Sequence, residues 1–235
     1  MEIHKPKPVH NWRELLTEIV VIVIGVAIAL AAEQAVEWLH WRGEVTAARK
    51  TLAVEIAAND LAFARRIAYQ PCMDRQIREA DAIIGDLEAS RPPRKFTTLH
   101  TGIEQLYDDS QWQSERASQI VTHFPDAELA LMTRHYASLE GFRLWMDHEG
   151  FAWADLAVLR NPPARLTATD FLRLRASLSI ATRMNAITVT YAQRTLRISR
   201  QLGISPPVVD PVRVQQFCTL SDVEYAAWQR TLEPR

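Results

Sequence analysis

The chain has 235 residues, enough for one sizeable domain beyond an N-terminal anchor of about 40 residues. Its 27 basic and 28 acidic residues nearly cancel, so no whole-protein attraction to nucleic acid is implied. Seven glycines and abundant Ala, Leu, Glu and Arg favour helix over sheet, and no stretch alternates convincingly as a strand does.

Residues 1–10, with Pro6 and Pro8, predict an extended, disordered tail. A helix can start at Asn11 as N-cap, and within it Ile19–Ala32 forms an unbroken uncharged run bounded by Glu18 and Glu33. Fourteen residues rise only about 21 Å, short of the roughly 30 Å hydrocarbon core of a bilayer. Leu15, Leu16, Ala35 and Val36 lengthen the apolar span to about 33 Å. Trp12 and Trp38 fall near the two headgroup layers, where tryptophan collects. Residues 11–41 therefore read as a single transmembrane anchor with interfacial flanks. A cleaved signal peptide, cut after Ala29-Leu30-Ala31, and a buried core helix are the competing readings.

Lys5, Lys7 and Arg13 before the span balance Arg42, Arg49 and Lys50 after it. The free amino terminus tips the orientation toward a cytoplasmic N-terminus and a periplasmic domain. Gly25 and Ala29, with Ala32 on the same side, allow close approach of a second anchor, hence a homodimer. An ordinary anchor rich in small residues explains them equally well.

Residues 42–235 read as a bundle domain of four or more helices. Ala48, Leu52, Ile56, Phe63 and Ile67 continue the helical period, so anchor and first bundle helix form one rod ending before Pro71. A second helix opens at Pro71 and closes before Pro92-Pro93. Two shorter helices follow over 98–109 and 110–124. A long helix runs from Asp126 toward Leu159, and another, capped by Thr167 or Thr169, runs to Gly203. A short segment around Cys218 and a last helix from Ser221 complete an all-α fold: one transmembrane helix continuing into an antiparallel bundle.

Cys72 and Cys218 have no zinc-ligand spacing. In an oxidising compartment one bridge between them would close nearly the whole domain, worth up to about 5 kcal/mol in the loop-entropy model. Residues 171–209 carry arginines and no Asp or Glu. Arg175, Arg183, Arg194, Arg197 and Arg200 share an arc of about 120°, a candidate face for anionic headgroups or an acidic partner. Ordinary ion pairs within the bundle are the alternative. Phe142, Trp145, Phe151 and Trp153 read as core aromatics, and Asp147-His148-Glu149 splays around its helix. His100, His123 and His135 lack metal-ligand spacing, and no local catalytic or phosphate-loop motif occurs. No cofactor is implied.

Trp12-Arg13-Glu14, Glu18, Gly25-Val26, Ile28-Ala29-Leu30, Glu33-Gln34, Val36-Glu37 and Trp41 together resemble an uncharacterised group of bacterial single-pass membrane proteins. These open with a short polar tail and a "GVxIAL"-type anchor before a helical soluble region. The resemblance covers residues 11–45 and implies the bacterial inner membrane, with the lipid bilayer as one partner. It carries no activity. The expected role is a non-enzymatic interaction or envelope-associated module working with an unidentified membrane or envelope protein. A ligand-sensing bundle acting through a separate partner is the alternative, and an enzyme with a nonlocal site comes third.

Overall fold

The computed structural model describes residues 12–96, 98, 100, 107–205, 207–221, 224, 227, 228 and 230, all helical or irregular. The expected tail at 1–10 and the Asn11 cap lie outside them. Helix α1 (Trp12–Ala68) is a single 57-residue element, about 85 Å long. Its first half is exposed on every side, with Ile22, Ile24 and Ile28 all more than half accessible. Its second half becomes a strut of the core from Val45 onward. Among the described residues, this is the one helix long and apolar enough to cross a membrane.

Tyr69 and Pro71 interrupt α1 without turning the chain back, because Met73 N–H still donates to the Tyr69 carbonyl at 3.1 Å. Helix α2 (Gln70–Glu88) thus extends the same rod. It stops at Ser90, whose positive φ of 55° takes the left-handed cap position usually held by glycine. The chain then returns alongside the rod, held by two side-chain amides that imitate a backbone pair. Gln76 accepts from His100 N–H and donates to its carbonyl, both at 2.9 Å. Asn59 does the same to Asp108, at 3.0 and 2.6 Å.

The expected helix over 98–109 is corrected by this return: Thr98, His100 and residues 107–109 are not helical, and 97, 99 and 101–106 lie outside the described residues. The backbone groups of His100 and Asp108 bond to Gln76 and Asn59 instead. Helix α3 (Ser110–Ala117) follows. Its N-terminal amides are capped from a distance by the Glu55 carboxylate on α1, at 2.7 Å from Gln111 N and 3.3 Å from Trp112 N. A 3-10 turn (Ile120–His123) then stacks His123 on Trp41, ring centres 3.8 Å apart, closing the base of the bundle.

Helix α4 (Asp126–Leu156) rises beside the rod, and α5 (Ala168–Gln201) descends between them, started by a Thr167–Asp170 capping box. Gly203, at φ +79°, ends α5. Helix α6 (Pro211–Thr219), capped by Asp210, climbs back to α2. Beyond Ser221, the described residues Glu224, Ala227, Trp228 and Arg230 are helical. The core is therefore three long columns, with the α1–α2 rod as one, and the short helices lie against it.

Two apolar cores stack along these columns. The lower joins Leu52, Ile56 and Phe63 to Tyr136, Leu139, Phe142 and Leu196. The upper joins Met73, Ile83 and Ile84 to Trp153, Leu156, Leu174 and Phe217. Helical periodicity explains both, except at Phe151, which is 72% exposed. Nine residues separate it from Phe142, half a turn out of phase, so the expected aromatic group is divided between opposite faces.

Candidate functional site

A layer of charged and amide groups separates the two cores. Arg66, on α1, has no exposed surface, and its Nη2 donates to both Glu149 oxygens at 3.1 Å and to Asn185 Oδ1 at 2.7 Å. Arg66 Nη1 donates to Gln70, Gln70 donates to Asp74 at 2.8 Å, and Asn185 donates to the same Asp74 oxygen at 2.9 Å. All three columns are tied at one level. Burial raises the Glu149 pKa, opposed by the charge and hydrogen bonds of Arg66. One nitrogen shared by both carboxylate oxygens and Asn185 sets its attraction against a desolvation cost of several kcal/mol per ion.

A second polar group lies inside the lower core. Ser199 Oγ donates to Asp60 Oδ1 at 2.9 Å and sits 3.2 Å from His135 Nδ1; all three residues are fully buried. Burial pushes Asp60 up to about 7, resisted by the Ser199 hydrogen bond, and pushes His135 down to about 4. The residue types are those of a hydrolase triad, but the order is not. Serine stands between acid and base, so the carboxylate does not orient the imidazole. No solvent-exposed surface reaches any of the three, and the arrangement serves as a buried polar spacer.

The accessible surface offers a cleft of about 480 Å³ between α3 and α4, with the stacked pair Trp112–Tyr136 among its lining residues and Arg116, Glu140 and Arg143 around it. Among the described residues no group of His, Cys, Asp and Glu could hold a metal ion.

The sequence-predicted residues fall into three places. Cys72 and Cys218 are bonded, Cα atoms 5.3 Å apart, fastening α6 to the start of α2. Around the bridge, Phe217 is stacked between Tyr69 and His100, and Arg75 donates to the Cys218 carbonyl. Gly25, Ala29 and Ala32 lie on the exposed half of α1, and a Cβ at Gly25 would meet nothing within 4 Å.

The arginines divide. Arg175 binds Glu88 bidentately, at 3.0 and 2.7 Å, and also Asp81, and this pairing raises its pKa and lowers that of Glu88. Arg200 donates to the Leu196 carbonyl. Arg183, Arg194 and Arg197 are exposed and make no ion pair among the described residues. The residues missed by sequence reasoning are the buried ones: Glu55, Asp60, Arg66 and Asn185 lie at inward positions of their helices, and that placement is their only sequence signal.

No protein-family model matches the chain, and no curated protein or solved structure matches it either.

Proposed function

We propose that this is a single-pass, membrane-tethered interaction module of the bacterial envelope, with the N-terminus in the cytoplasm and the bundle in the periplasm. The observation that carries the reading is the change of character within α1. One uninterrupted helix is apolar and uncovered over its first half and is a core strut over its second. A buried core helix would be covered, and a signal peptide would not share its helix with the domain. The Cys72–Cys218 bridge supports the periplasmic side, because such bonds persist in oxidising compartments. A non-enzymatic role is favoured because the Asp60, Ser199 and His135 group, whose residue types would suit hydrolysis, is sealed inside the bundle, where no substrate reaches it.

With the anchor upright, the arginine face stands well above the headgroups. Ser199 is level with Asp60, 19 residues past Trp41 and so about 28 Å along the rod. That exceeds the screening length of about 8–10 Å, so an acidic protein surface suits these arginines better than the bilayer that holds the anchor.

Carbonate extraction and C-terminal reporter fusions test this reading. The expected outcome is retention in the membrane with an active phosphatase fusion. A fluorescent, phosphatase-inactive C-terminus overturns the orientation, and a mature chain beginning at Ala32 overturns the anchor. The cleft beside Trp112 and Tyr136 favours the second reading, ligand sensing. Thermal stabilisation by an added metabolite pool, lost in Arg143→Glu, would establish it in place of the first.

A further inference from the structure

Helices α4 and α5 each present an outward face that the fold leaves uncovered. On α4, Leu144 (51% exposed), Phe151 (72%) and Val158 (41%) recur every seven residues in one line directed away from the core. Glu140 and Asp147 flank that line, exposed and without an ion pair among the described residues. On α5, Arg183, Arg194 and Arg197 share the outward face, with Ile180 (46%) beside them.

The two faces are matched in height. His135 meets Ser199, and Asp155 meets Ser177, so residue numbers at one level sum to 334 and 332 at the two ends of the contact. The axes therefore run alongside each other with little splay. By this register Glu140 is level with residue 193 and Asp147 with residue 186. Glu140 is thus one residue from the level of Arg194, Asp147 three from Arg183, and Phe151 two from Ile180. At about 1.5 Å per residue, every offset is within reach of an arginine side chain.

We infer that the occupant of these faces is a second copy of the chain, with α4 of one copy lying against α5 of its neighbour. This rests on the anchor reading, because a common bilayer roots every copy at the same height and turns the matched levels into matched contacts. Acid then meets arginine at two levels, and the apolar line of α4 meets Ile180. The alternative of α4 against α4 in the same membrane sets Glu140 on Glu140 and Asp147 on Asp147, which repel. A contact between two different faces is head-to-tail and propagates as a ring or row in the membrane plane, unlike a symmetric pair of anchors.

Cysteine crosslinking of the full-length protein in membranes tests this. One tagged copy carries Leu144→Cys and a differently tagged copy carries Thr190→Cys; the native pair remains bonded. Oxidation is expected to give the mixed dimer. Arg194→Glu in the second copy should lower its yield about fivefold, as loss of a pair worth about 1 kcal/mol does. Glu140→Arg in the first copy should restore the yield, which a merely misfolded variant would not allow. Self-crosslinking of Leu144→Cys alone, absence of the mixed dimer, or no effect of the charge reversals overturns the inference. Carbonate extraction on the same membranes separates the failures: protein retained but uncrosslinked sinks this proposal alone, whereas protein released sinks the anchor reading beneath it.

Discussion

Ser199 donates its hydroxyl proton to Asp60 across 139 residues of sequence, inside a core that exposes neither of them. The consequence is a pH dependence with a definite sign. Asp60 is raised from 3.8 to about 7, so its contribution is complete below pH 3.8 and is lost as pH rises toward 7. His135 is lowered from 6.5 to about 4, so its contribution is complete above pH 6.5 and is lost as pH falls toward 4. Between about pH 4 and 6.5 the two slopes oppose and nearly cancel. Asp60→Asn removes one of them. The variant's advantage over the parent should grow with pH up to about 7 and then level off, reaching at most about 4 kcal/mol. Denaturant melts at four pH values measure it, and an advantage equal at every pH defeats the assignment.

The polar layer makes a second prediction. Arg66→Met leaves Glu149 buried beside Asn185 with its positive partner gone, and should cost about 3–5 kcal/mol. Arg66→Met with Glu149→Leu removes both charges and should recover much of that loss. A double variant as unstable as the single one would mean that the layer is held by the amides and not by the ion pair. Chemical denaturation of the three proteins decides it.

How far the fold was legible follows from which interactions are periodic. The rod, the long helices and the Thr167 cap are written in local patterns: apolar recurrence, proline, and a Thr-x-x-Asp box. The return past His100 and Asp108 reads as helix in the sequence because the partners of these two backbones, Gln76 and Asn59, lie far away in sequence. Local pattern cannot encode a partner on another element. Arg66 and Glu149 were hidden for the same reason, since each alone looks like one more surface charge. The arginine arc was visible, but its division was not: only packing reveals that Arg175 is spoken for by Asp81 and Glu88 while Arg183 and Arg194 are free of ion pairs among the described residues.

Reduction of the Cys72–Cys218 bridge should loosen one part of the molecule more than the rest. The bond closes a loop of 146 residues, so its removal is expected to cost up to about 5 kcal/mol in global stability. Local effects should be confined to α6 and to the segment around His100, which rests on Phe217. Hydrogen exchange would register the largest acceleration at Val214–Thr219, with amides of α4 and α5 accelerated by no more than the loss of global stability. Uniform acceleration across the three columns would show that the bridge supports the whole bundle.

Two glycines give opposite signs under the same substitution. Gly43 lies inside α1, between the apolar half and the core strut, and a Cβ there meets nothing within 4 Å. Gly43→Ala removes unfolded-state freedom without strain and should stabilise by about 0.5–1 kcal/mol. Gly203 has equally open surroundings, but its φ of +79° is a conformation that alanine adopts only with strain. There Ile204 N–H reaches the Ser199 carbonyl at 2.9 Å, closing the end of α5, and Gly203→Ala should destabilise by about 1 kcal/mol or more. Thermal melts of the two variants separate space from conformation, because the room for a methyl group is the same at both positions. Equal shifts would mean that the end of α5 relaxes freely and that the left-handed turn at Gly203 is not required by the fold.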